Sequence, residues 1–189
     1  MNKNKLLTFI TSNSGKLAEL QACLPFVIGK QIDLPEIQEI DIKKIIHAKL
    51  QAAVAVCDGP VIVDDTALYL ECFASKNGDD GLPGPLIKWF LQTVTNEGLA
   101  TIAQKIGKNK ARACTIIGYA DETGQMNFFE GSVSGKIVSP QGTSGFGWDH
   151  IFVPDGQIET FASMGMEKKN TMSPRALAVR KLKRFLDKK

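Results

Sequence analysis

Long apolar runs are missing from this chain: none of its 189 residues belongs to a stretch near the roughly 18 apolar residues that a membrane span needs. Histidine is scarce, with only His47 and His150, and neither has a metal-ligand partner at a recognisable spacing. The four cysteines, Cys23, Cys57, Cys72 and Cys114, stand far apart with no Cys-x-x-Cys pair. That pattern argues against a zinc site and a disulfide framework, so a reducing cytoplasm is the expected compartment. Met1–Lys5 leads into only Leu6–Ile10, too short an apolar core for a signal peptide. No Ser-His-Asp order or Cys-His arrangement suggests a nucleophile. Internal repeats, low-complexity segments and long linkers are absent as well.

What is present is an ordinary globular composition, 43% hydrophobic and 23% charged, expected to form one domain over residues 1–189 with a substantial core. The net charge of +3 is unevenly spread, because cations crowd residues 168–189. A nucleic-acid-binding chain can look like this. Yet Arg180 to Lys189 fall late in a predicted helix, where cations complement the dipole and stay solvated. The preferred partner is a small phosphorylated ligand met by a few of the earlier cations, with no nucleic acid and no membrane.

The most informative stretch lies near the start. Leu6 to Ile10 reads as a buried strand, Thr11-Ser12-Asn13-Ser14-Gly15-Lys16 as a small polar turn ending in lysine, and Leu17 to Leu24 as an amphipathic helix. A helix start reached this way offers unpaired N–H groups, the positive end of the dipole and a full positive charge, which suits phosphate. It is not a Walker A loop: Ile10 stands where the first glycine would be, and Leu17 where a magnesium-binding hydroxyl would be. The same residues also fit a plain βα turn with a solvated lysine.

Further along, Gln31–Gln38 looks extended and Ile40–Cys57 has apolar residues at helical spacing. Val61-Ile62-Val63 reads as a buried strand ending in Asp64-Asp65-Thr66, and Leu86–Leu91 as a helix after a glycine-rich loop. Arg112–Ala120 and Met126–Gly131 read as strands around a turn, with strand character continuing to Val138. Ser173-Pro174 opens the last helix as N-cap and first residue. The fold class is α/β, a mixed sheet flanked by helices.

Two carboxylates placed at the carboxyl end of a strand, Asp64 and Asp65, repel each other and need a cation. Magnesium shared with substrate phosphates would supply it, whereas an exposed turn with a capping Asp is the plain alternative. Glu36, in the stiffened segment Asp33-Leu34-Pro35-Glu36, could present a third carboxylate. Lys49 and Lys88 read by themselves as snorkelling helix lysines. Phe146-Gly147-Trp148-Asp149 offers aromatic faces and a polar group on a glycine-shaped loop, which suits a stacked base. Core packing of either ring is the competing reading.

These segments, with Gly81-Leu82-Pro83-Gly84-Pro85-Leu86-Ile87-Lys88-Trp89-Phe90 and Lys169-Asn170-Thr171-Met172-Ser173-Pro174-Arg175, resemble the inosine triphosphate pyrophosphatase family in order over nearly the whole chain. The resemblance implies an elongated mixed β-sheet flanked by helices, two lobes with a central substrate cleft, and a homodimer. It implies Mg²⁺-dependent hydrolysis of deaminated purine nucleoside triphosphates (ITP, dITP, XTP) to the monophosphate and pyrophosphate. By position it makes Glu36 and Asp65 metal ligands, Asp65 also the proton acceptor, and Asp64 a further acidic residue at the metal. Thr11, Asn13, Lys16, Lys49 and Lys169 match phosphate or substrate contacts. Phe146 matches the ring stacked on the purine, and Trp148, Asp149 and Arg175 match the base-reading region. Ser12, Ser14, Gly15, Thr66, Lys88 and Gly147 complete the matched substrate-binding segments.

Two departures qualify the match. Pro174 stands where the family usually has histidine, removing a donor to the base oxygen. His150 stands where the family usually has proline, and it is a candidate to replace the missing imidazole. The loop Ala74–Asp80 is also longer than expected. Hydrolysis of other modified nucleotides, or nucleotide sensing with weak turnover, are the alternative functions.

Overall fold

The computed structural model describes residues 6–74 and 81–188. In chain order the elements are β1 (Leu7–Ile10), α1 (Ser14–Gln21), β2 (Val27–Lys30), α2 (Ile42–Val56), β3 (Val61–Leu70), β4 (Pro83–Gly84), α3 (Ile87–Thr93), α4 (Thr95–Ile106), β5 (Lys110–Ala120), β6 (Met126–Ile137), β7 (Phe152–Pro154), α5 (Phe161–Met172) and α6 (Pro174–Leu186). The strands form one mixed sheet in the order β2-β1-β3-β5-β6-β7, with β4 paired to β3. β1 runs parallel to both β2 and β3, with Leu7 opposite Val27 and Thr8 opposite Val61. β6 and β7 run antiparallel, with Lys136 opposite Val153.

The chain divides into two compact units that interleave in sequence: residues 1–65, 115–131 and 174–189 form the first, and residues 66–114 and 132–173 the second. Strands β3, β5 and β6 each run from one unit into the other. In the first, Leu7 and Phe9 of β1, Leu20 of α1, Ile62 of β3, Ile117 and Tyr119 of β5 and Val179 and Leu182 of α6 share one core. In the second, Leu68 and Leu70 of β3 pack with Leu99 of α4, Phe152 of β7 and Phe161 of α5. Complete burial of such side chains contributes about 2 kcal/mol each.

Three expectations need correction. The first helix starts at Ser14, not Leu17, because Asn13 is its N-cap: Asn13 has extended backbone angles and its side chain accepts from the Lys16 amide. Ser14, Gly15 and Lys16 are thus its first turn. β3 does not end at Asp64-Asp65 but runs on to Leu70, since Ala67, Leu68, Tyr69 and Leu70 are all buried and the burial rewards continuing the strand. Two helices, α4 and α5, also go beyond the sequence reading; α5 is broken at Gly165, whose φ of 77° is left-handed.

Continuation of β3 sets the site. Side chains alternate across a strand, so Ile62 and Asp64 share one face, and Val63 and Asp65 the other. Ile62 packs with α1 and α6. Val63 faces α2: a Cβ added to Gly118 would lie 3.1 Å from Leu50 and 3.2 Å from Val63, so these two side chains close tightly over the glycine of β5.

Candidate active site

The turn from β1 to α1 is built by its own side chains. Thr11 Oγ1 accepts from the Asn13 amide at 3.1 Å, and Asn13 Oδ1 accepts from the Lys16 amide at 3.1 Å. The Thr11 amide donates to the Lys30 carbonyl of β2 at 3.1 Å, tying the turn to the neighbouring strand. The first helical turn, which contains Ser14 and Gly15, therefore emerges from a fixed frame.

Lys16 leaves that turn to reach Asp64 Oδ1 at 2.9 Å. The other carboxylate oxygen accepts from Arg175 Nε at 2.9 Å, and Arg175 Nη1 also donates to Glu19. Lys16 and Glu19 are three residues apart on α1 and so share a face. Pro174 starts α6, which places Arg175 in its first turn. Asp64 is only 2% exposed, and Glu19 and Arg175 are buried. Burial by itself would raise the Asp64 pKa, but Lys16 and Arg175, helped by Lys49, hold it far below the usual carboxylate range.

This corrects the sequence-based picture of Asp64 and Asp65 as one repelling pair awaiting a metal. They sit on opposite faces of the sheet, and the cations that offset Asp64 are Lys16 and Arg175. Arg175, expected with the base-reading residues, belongs to the first unit beside Asp64. Glu19 went unnoticed in the sequence because a carboxylate on an amphipathic helix reads as its solvent face.

Across the sheet, Lys49 of α2 donates to Glu36 Oε1 at 2.7 Å. Its side chain is 13% exposed against 58% for Glu36, so it is not a snorkelling surface lysine. Burial pulls the Lys49 pKa down, but the fields of Asp65, Glu36 and Asp64 outweigh it and leave the pKa above the ordinary lysine value. Half-buried Asp65 and exposed Glu36 thus converge on one ammonium group. No group of three His, Cys, Asp or Glu residues among the described residues could enclose a metal ion. Two hard carboxylates completed by phosphate oxygens are nevertheless the donor set that magnesium takes, so Glu36 and Asp65 fit that ion.

The second unit has a different chemistry. Asp149, buried in the short 3-10 turn Gly147–His150, accepts from the Phe146 amide at 2.9 Å and from Lys169 Nζ at 2.6 Å. Lys169 is itself buried, with Nζ 4.5 Å from the Phe146 ring centroid and 5.7 Å from that of Phe161. Lys169, matched to phosphate or substrate, is therefore a partner of Phe146 and Asp149. A Cβ on Gly145 would come within 2.6 Å of Asp149 Oδ2, so glycine is required where the loop wraps this carboxylate.

Trp148 packs edge-on against Phe152 at 5.4 Å and tilted against Phe161 at 6.1 Å. It is half-buried and packs into the aromatic core. Thr66 is half-buried in the part of β3 that belongs to this unit. Lys88 is exposed on α3, its ammonium 5.7 Å from the Trp89 ring centroid. His150 Nδ1 lies 3.2 Å from the Gly142 carbonyl, fastening the imidazole to its own loop. Pro174 is buried in the first unit. Of the longer loop, residues 75–80 lie outside the described residues.

Comparison with known proteins shows the family of the chain. Residues 7–185 match the model of the Ham1 family. The inosine triphosphate pyrophosphatase of Schizosaccharomyces pombe is 38% identical over 185 residues, covering 96% of this chain and 95% of the relative. That of Kluyveromyces lactis is 42% identical over 193 residues, covering 95% of each. Among solved structures, the Staphylococcus aureus Ham1 protein has a TM-score of 0.77 at 23% identity, covering 97% of this chain and 98% of that one. A HAM1 protein from Coxiella burnetii has a TM-score of 0.75 at 24% identity, covering 97% and 99%. With its fold and nearly its whole length matched, the chain belongs to the Ham1 family.

Proposed function

We propose that this protein is a nucleoside triphosphate pyrophosphatase that converts ITP, dITP and XTP into the monophosphate and pyrophosphate. The observation that carries the reading is the division of one chain into two sets of residues. In the first unit Lys16 pairs with Asp64 beside the α1 N-terminus, while Glu36 and Asp65 act on Lys49, two charge groupings that suit phosphate and a divalent ion. The second arranges Phe146, Asp149 and Lys169 around a planar ring. Relatives named inosine triphosphate pyrophosphatase support the same reading.

In this reading the α1 N-terminus and Lys16 take the triphosphate, with Lys16 held in place by Asp64. Glu36 and Asp65 would hold magnesium, whose chemistry when bound would be to lower the pKa of water and offset charge on phosphate oxygens. Asp65 accepts the proton of the attacking water, and Lys49 beside it compensates charge gathering on the leaving pyrophosphate. Phe146 offers a ring for stacking, one side of it already occupied by Lys169. Donors in this set suit a 6-keto purine; an adenine amino group would leave them unpaired, which is how the site rejects ATP. The family resemblance also supports a homodimer, and the four scattered cysteines support a reducing cytoplasm.

Pyrophosphate release from ITP in the presence of magnesium tests the reading. Wild-type protein should give IMP and pyrophosphate and Asp65→Asn very little of either. Release of IDP and inorganic phosphate, or no turnover of ITP, would refute it.

A further inference from the structure

The loop carrying Phe146 is fastened from a helix that no sequence motif connected with it. Asn96, in the first turn of α4, donates from Nδ2 to the Gly147 carbonyl at 3.0 Å. Its Oδ1 is buried and has no hydrogen-bond partner, so the amide is oriented by this one bond.

The backbone that presents Asn96 is unusual. Thr95 has φ of 65°, the only left-handed non-glycine among the described residues, and a β-branched side chain is poorly suited to it. The Thr95 hydroxyl donates to Glu97 at 2.8 Å and accepts from the Gly98 amide at 3.4 Å, which holds the elbow in that state. Behind it, Leu99, Ala100 and Ala103 anchor α4 in the core. The loop side is equally constrained: Asp149 holds the Phe146 amide at 2.9 Å while Asn96 holds the Gly147 carbonyl. The peptide groups on either side of Phe146–Gly147 are therefore pinned by two side chains from different elements.

We propose that Asn96 is a positioning residue for base recognition, fixing the Phe146–Gly147 segment so that the Phe146 ring is preset for the purine; this rests on the function proposed above. In this proposal Asn96 acts through the Gly147 carbonyl and not by direct contact with the substrate. Its effect belongs to affinity for the base, and it leaves the phosphate chemistry alone.

The test uses Asn96→Asp, which keeps the shape but removes the donor, and Asn96→Ala. Hydrogen exchange followed by mass spectrometry should show faster exchange at residues 146–150 in both variants, with β5 (Lys110–Ala120) unchanged. KM for ITP should rise about fivefold, the loss of one ordinary hydrogen bond, with kcat within twofold of wild type. Inhibition by inorganic triphosphate, which has no base, should be unaltered. Unchanged exchange at 146–150, or equal losses for ITP and inorganic triphosphate, would overturn the proposal. The readouts separate it from the parent reading: a wild-type protein inert toward ITP defeats the pyrophosphatase assignment, whereas the exchange pattern reports on the Asn96 contact without any turnover.

Discussion

The two units bury charge in opposite ways. In the first, Lys16, Arg175, Asp64 and Glu19 neutralise one another in a chain of charge-assisted hydrogen bonds. In the second, a single pair, Lys169 and Asp149, is enclosed by aromatic rings. Buried ions are costly, and either solution works only when every partner is present. The first is a four-member network of zero net charge spread over α1, β3 and α6; the second is one ion pair set against the rings of Phe146 and Phe161.

The largest expected effect falls on chemistry in the first unit. Asp65→Asn should lower kcat for ITP by about 10²–10⁴-fold, the ordinary contribution of a positioned base, whereas Phe146→Ala should act chiefly through KM. Steady-state kinetics of both variants would blur the comparison if the losses were exchanged.

Stability comes next. Arg175→Met leaves Asp64 without one of its two cations and Glu19 without the guanidinium, and should cost about 3–5 kcal/mol in urea denaturation. Lys169→Met leaves buried Asp149 with the Phe146 amide and without the ammonium, and should cost a comparable amount, about 3–5 kcal/mol. A cost near zero for either variant would mean that its buried carboxylate is not held by the cation the geometry indicates.

Acid should act through the first unit. The Asp64 pKa is depressed in the folded protein, so its contribution is fully present above the ordinary aspartate value, about 3.9, and drains away as pH falls through the folded value. The urea midpoint should hold steady down to about pH 5 and fall below pH 4, and Asp64→Asn should flatten that limb. Lys49 works in the other direction. Its raised pKa gives a contribution present below the ordinary lysine value and lost as pH rises past the folded one. The smallest effect belongs to the exposed pair Lys168–Glu159, 2.9 Å apart in the second unit: Lys168→Ala should leave the midpoint unchanged.

Local chemistry was legible in the sequence. Thr11 to Lys16 announced a strand-to-helix turn because a small polar run between two apolar patterns has few other solutions, and Ser173-Pro174 marked a helix start for the same reason. The fate of Asp64 was not legible. Two adjacent acids look like the end of a strand, and only the long-range placement of Arg175, 111 residues away, shows how one of them is buried within it. α4 was missed because Thr95, Asn96 and Gly98 weaken its helical signal, while its buried Leu99 and Ala103 gain stability only from tertiary packing. Trp148 was ambiguous until its neighbours Phe152 and Phe161 were in place.

The division of labour is tested most directly by measuring kcat and KM for ITP and ATP in wild type, Asp65→Asn and Phe146→Ala. Asp65→Asn should lose kcat for both nucleotides to a similar degree, while Phe146→Ala should raise KM for both, since stacking is shared by every purine, and leave kcat within about twofold of wild type. A Phe146→Ala protein that loses kcat with KM unchanged, or an Asp65→Asn protein that keeps wild-type turnover, would contradict this division.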